Sequence, residues 1–101
     1  MSDQPTPAVE PVWLVEATYA PDAAETRTPF RAEHLRAAAA RIADGTYVEV
    51  GAFADVSASI ILVRAASEAE ALRIVGDDVY LRNGVWVELR ARPFGRISEA
   101  G

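Results

Sequence analysis

Apolar and polar positions along this chain follow two different repeats. Residues 12 to 19, VWLVEATY, are rich in β-branched and aromatic side chains and run into the turn-prone pair Pro21-Asp22, which predicts a first strand. Successive strand side chains point to opposite faces, so Trp13, Val15, Ala17 and Tyr19 oppose Leu14, Glu16 and Thr18. From Thr28 the period lengthens. Thr28-Pro29 suits an N-cap and first turn, because proline has no N–H to lose and its φ is already helical. An alanine-rich stretch carries this helix to Ala43, and Gly45 ends it. Alternation returns in TYVEVGAF (46 to 53) and SASIILVRA (57 to 65), and the three residues between them allow only a tight antiparallel hairpin. Ser67 with Glu70 forms a capping box for a second helix, with Ala71, Leu72 and Val75 facing inward and Gly76 at its end. GDDVYLRNG then reads as a loop or short helical turn, and VWVELRARPF (85 to 94) as the last strand.

The order β-α-β-β-α-β predicts an α+β, ferredoxin-like sandwich: a four-stranded antiparallel sheet with two helices on one face. In the last strand, Val85, Val87, Leu89 and Ala91 suit the helix side, leaving Trp86, Glu88, Arg90, Arg92 and Phe94 with Leu14, Glu16 and Thr18 on the open side. That surface is too polar for a dry core and too aromatic for bulk water. A homodimer packed through the open sheet face would satisfy it.

The 101 residues suit one domain, expected over 12–97 between a flexible tail at 1–11 and a second at 98–101. No apolar run approaches the roughly 18 residues of a spanning helix, and the first residues lack the basic start and apolar core of a signal peptide. The expected setting is cytoplasmic, with no membrane partner. A net charge of -5 without a basic cluster argues against a nucleic-acid partner. The chain has no cysteine, which removes disulfides, thiolate nucleophiles and zinc-thiolate centres; with one histidine and no phosphate-binding glycine loop, neither a metal nor a cofactor is expected.

That histidine sits in FRAEHLRA. On a helical wheel, Phe30, Leu35, Ala38 and Ile42 fall within an arc of about 140°, with His34 inside it and Arg31 near its N-terminal end. Imidazole brings two nitrogens that need partners once buried, so a packing-only design would favour an aliphatic residue there. Asp77 and Asp78 follow the second helix, where the helix dipole disfavours carboxylates. Asp78 could cap the turn Val79-Tyr80-Leu81-Arg82, or it could hold an imidazole and fix its tautomer. Periodicity does not choose between these.

The element order, R-x-x-H-L at Arg31 to Leu35, and D-x-Y-x-x-x-G at Asp78, Tyr80 and Gly84 running into a strand that ends Arg-Pro-Phe resemble the YCII-related family over roughly residues 12 to 97. The resemblance implies a dimeric α+β barrel and a His-Asp pair as active site, here His34 and Asp78. The sequence departs from the family at Val79, where proline is usual, which leaves Asp78 less constrained. A second departure is Asp55-Val56-Ser57-Ala58-Ser59, where relatives are often glycine-rich. The expected function is a small cofactor-independent enzyme. His34 and Asp78 would perform general acid/base chemistry, elimination or isomerisation, on a small cyclic or aromatic-derived molecule, with Arg31 and Tyr80 binding substrate. The alternative is a dimeric module that binds a small-molecule ligand without turning it over.

Overall fold

The computed structural model describes residues 6–98. Strand β1 (Ala8–Tyr19) leads through a one-turn helix α1 (Ala23–Thr26) and a 3-10 turn (Thr28–Phe30) into α2 (Arg31–Ala43). The hairpin β2 (Tyr47–Ala52) and β3 (Ala58–Val63) follows, then α3 (Glu68–Gly76), the short α4 (Val79–Arg82) and β4 (Trp86–Ser98). All pairings are antiparallel, in the order β2-β3-β1-β4. Val15, Ala17, Ile61 and Val63 from the sheet interlock with Ala38, Ala71, Ile74 and Val75 from the helices, forming one core on one face. This is the expected ferredoxin-like α+β sandwich. No helix among the described residues is long and apolar enough to cross a membrane.

Four local expectations need correction. The tail expected at 1–11 is too long, because Ala8 to Pro11 pair with Ser98 to Gly95 and extend the ladder at both ends. Glu10 anchors that extension, accepting from Arg64 Nε at 2.6 Å and from an Arg96 guanidinium nitrogen at 3.3 Å. Ser98 is therefore strand, while residues 1–5 and 99–101 lie outside the described residues. Thr28 makes no side-chain cap bond; the 3-10 turn, in which Phe30 N–H donates to the Arg27 carbonyl, supplies the approach to α2. The helix α2 also sits rotated from the expected arc. It buries the narrow seam of His34 and Ala38, and Leu35 and Ile42 flank that seam, each 50% exposed.

The fourth correction is Trp86. Thr18 pairs with Glu88 but Tyr19 pairs with Trp86, so Val87 is an extra residue, a β-bulge. One inserted residue inverts the facing of the strand position before it, here Trp86 at the start of β4. Trp86 consequently turns to the helix side, where it is buried, and Val87 stands 58% exposed. Beyond the bulge, Glu88, Arg90, Arg92 and Phe94 occupy the open face as expected, beside the half-buried Leu14, Glu16 and Thr18.

Candidate functional site

α2 and the junction between α3 and α4 bring the two ends of the candidate pair together. Asp77 ends α3 and stays exposed, 3.9 Å from Arg41. Asp78 adopts an extended backbone (φ -67°, ψ 143°) and caps α4, its Oδ2 accepting from the Tyr80 backbone N–H at 2.9 Å. The same oxygen lies 2.8 Å from His34 Nδ1. Asp78 is thus both cap and imidazole partner, so both readings left open by the sequence hold. The freedom expected from Val79 is absent here: two hydrogen bonds pin the carboxylate, and the Val79 side chain is buried.

A carboxylate only accepts, so Nδ1 donates and a neutral imidazole keeps its lone pair on Nε2. Nε2 makes no hydrogen bond among the described residues. The ring is held from the sides as well. Tyr80 stacks on it at 3.8 Å with an 8° interplanar angle, and Trp86 meets it edge-on at 5.4 Å and 86°. Tyr19 packs edge-on against both Tyr80 and Trp86, closing an aromatic box. The Tyr80 hydroxyl and Trp86 Nε1 are buried without a hydrogen-bond partner. Burial pushes the Tyr80 phenol above its usual range, opposed by the nearby Arg31 and Arg27 guanidiniums.

His34 forms part of the wall of a hollow of about 370 Å³ between α2, the sheet and the β2–β3 hairpin. Arg31 and Arg27 line it too, with Tyr19 and Ser59 on the sheet side and Leu35, Val50, Phe53 and Val56 supplying apolar surface. Tyr80, expected to touch substrate, is instead fully buried behind the imidazole and forms no part of this wall. It reaches a ligand only through the ring it supports.

Sequence reasoning passed over three wall residues: Arg27, Ser59 and the polar tip of Tyr19. Ser59 Oγ donates to the Tyr19 hydroxyl at 3.1 Å, both side chains being buried. A usable signal existed, since Ser59 breaks the apolar series 59, 61, 63 on the core side of β3 just as His34 breaks that of α2. Arg27 was legible only as one helical turn before Arg31, and the irregular chain between α1 and α2 hid that register. Among the described residues, no three His, Asp or Glu side chains converge on a point.

The arrangement offers a buried, oriented imidazole with a free nitrogen at the edge of a hollow rimmed by cations. Such a group can take a proton from a bound molecule and return it elsewhere. Comparison with known proteins agrees in scale and shape. The profile of the YCII-related domain matches residues 12–95. Among solved structures, a 5-chloro-2-hydroxyhydroquinone dehydrochlorinase from Burkholderia phenoliruptrix AC1100, in complex with 2,5-dihydroxybenzoquinone, superposes with a TM-score of 0.68. That similarity has 17% sequence identity and covers 80% of this chain and 90% of the dehydrochlorinase. No curated protein matches the sequence.

Proposed function

The chain belongs to the YCII-related family, and from that premise we propose that it is a small cofactor-independent enzyme working as a cytoplasmic homodimer. Its substrate is a small cyclic or aromatic-derived molecule. His34 is the general base and acid, Asp78 orients it, Arg31 holds an oxygen of the substrate, and Tyr80 acts as a positioning residue. The observation that carries this reading is the 2.8 Å bond between His34 Nδ1 and Asp78 Oδ2 at the wall of a ligand-sized hollow.

In the proposed reaction, Nε2 removes a proton from the carbon next to a carbonyl, and the C–H electron pair moves onto the carbonyl oxygen as an enolate. In elimination, that pair returns to form a carbon–carbon double bond, and the leaving group departs with its own bonding pair. In isomerisation, the imidazolium returns the proton at a different carbon. A positive guanidinium near the developing oxyanion stabilises it without reorganisation. The dehydrochlorinase fold neighbour supports elimination as the first reaction to assay.

The test is chloride release from 5-chloro-2-hydroxyhydroquinone, followed by isomerisation assays on small lactones. On a substrate that turns over, His34→Ala is expected to lower kcat by about 10²- to 10⁴-fold. Asp78→Asn is the sharper variant, because one amide oxygen can accept both bonds now made to Oδ2 while the charge is lost. Its fold should survive and its kcat should drop. Full turnover by folded His34→Ala overturns the catalytic reading, and ligand binding without turnover by the wild type returns it to the binding module.

The open face supports the dimer. Leu14, Ile60, Leu62 and Phe94 surround an apolar depression of about 380 Å³ there, with Glu49 at its β2 side and Arg90 and Arg92 along β4. Antiparallel stacking of two such faces would set acidic and basic margins against each other.

A further inference from the structure

We infer that the hollow beside His34 takes a one-ring anion, its acidic oxygen held jointly by Arg27 and Arg31 and a second, neutral oxygen met by the Tyr19 hydroxyl. This rests on the hollow being the substrate site, and it assigns the class of substrate and two further binding residues.

Charge is the first argument. The chain carries 15 acidic and 10 basic residues, yet the hollow is lined by two arginines and no carboxylate. Arg41, Arg64, Arg82, Arg90 and Arg96 each lie within 4 Å of an acid, and of the arginines that do not, only Arg27 and Arg31 line the hollow. Arg27 and Arg31 form no ion pair among the described residues. Two guanidiniums four residues apart across the 3-10 turn, both on a concave surface and both without a counter-ion, form a fork suited to a carboxylate, enolate or phenolate oxygen.

Geometry supplies the other end. Because Ser59 Oγ donates to the Tyr19 oxygen, the Tyr19 proton is left free for another acceptor. Tyr19 and Ser59 rise from the sheet, whereas the arginines descend from the helical side. Between them lie Leu35, Val50, Phe53 and Val56, which suit the faces of a ring. A volume of about 370 Å³ matches one ring and its substituents.

The experiment is isothermal titration of the full chain with 4-hydroxybenzoate, its neutral amide 4-hydroxybenzamide, benzoate, and 2,5-dihydroxybenzoquinone as an acidic enol. At least one of the two acids bearing a second oxygen is expected to bind about tenfold or more tightly than the amide, with affinity falling as salt rises. Preference between those two separates carboxylate from enolate recognition. Arg27→Gln should erase the advantage over the amide, and Arg27→Lys should restore part of it. Tyr19→Phe should weaken 4-hydroxybenzoate and leave benzoate, which lacks the second oxygen, unchanged. The inference is overturned if the amide binds as well as the acids, if no acid binds at about 5 mM, or if Arg27→Gln keeps the full preference. Loss of the anion preference in Arg27→Gln beside full turnover in His34→Ala would leave this inference standing and remove the catalytic one. The opposite pair of results would do the reverse.

Discussion

Val56 is held where a valine rarely sits. Its φ of 57° lies in the left-handed region, where a β-branched side chain costs about 1–2 kcal/mol. The hairpin demands it: Val56 N–H closes the turn on the Phe53 carbonyl at 2.9 Å, and Phe53 N–H reaches the Ala58 carbonyl at 2.9 Å. Glycine would fit that backbone more easily, but the isopropyl group packs against the core and lines the hollow. Val50 also lines the hollow from an ordinary strand conformation, which makes it the control. Urea unfolding should show Val56→Gly losing at least about 1 kcal/mol less than Val50→Gly, since only the former releases strain. Both variants should bind ligand less tightly.

His34 and Asp78 themselves were legible because each violates a local rule, an imidazole among apolar positions and a carboxylate at the wrong helix end. The pairing between them came from the family resemblance and not from the residue pattern, because 44 residues separate the two and no period connects them.

At the scale of elements, the alternating stretches and cap signals located all four strands and both main helices. What escaped was irregularity. The Val87 bulge has no mark in VWVELRARPF, where three apolar residues in a row fit either facing, so Trp86 fell on the wrong side. The α2 wheel erred because alanines let the helix approach the sheet along a thin seam, and apolar count alone points to the larger Leu35 and Ile42.

Contact between α2 and β2 also carries a pH dependence. Tyr47, buried at the start of β2, has its phenol pushed up to about 12 by burial, with Arg41 opposing and Asp78 and Asp77 reinforcing the shift. The unfolded chain releases this proton near 10.0 while the folded chain retains it, so stability is full below that pH and lost as pH rises toward about 12. Tyr80 shifts in the same direction. Scanning calorimetry should show Tm falling across this alkaline window, and Tyr47→Phe should make the fall shallower without abolishing it.

The whole molecule is long for its size, 56 × 26 × 23 Å, because β1 and β4 continue as a two-stranded arm past the end of β3. Residues 8–12 and 94–98 form that arm, and Val9 and Ile97 on it are 65% and 75% exposed. A Cβ at Gly95 would approach Val9 Cγ1 to 2.9 Å, so any larger residue there makes the exposed Val9 side chain turn aside. With the apolar depression on the open face, this outline suits a molecule that shares surface with a copy of itself. Light scattering at micromolar concentration should give a dimer, and Leu62→Glu, which leaves the helix-side core untouched, should give a folded monomer. A wild-type monomer would remove the shared-face argument.

β4 is also the longer of the two edge strands, and among the described residues its 13 residues leave one side of backbone N–H and C=O groups without a neighbour in the sheet. Such a border invites any extended chain to add to it, and repeated addition is how amyloid fibres grow. Pro93 stands within that border and has no N–H to give, while Glu88, Arg90 and Arg92 place charge along it. A single imino acid thus limits templated growth along the strand that the fold leaves most open to it.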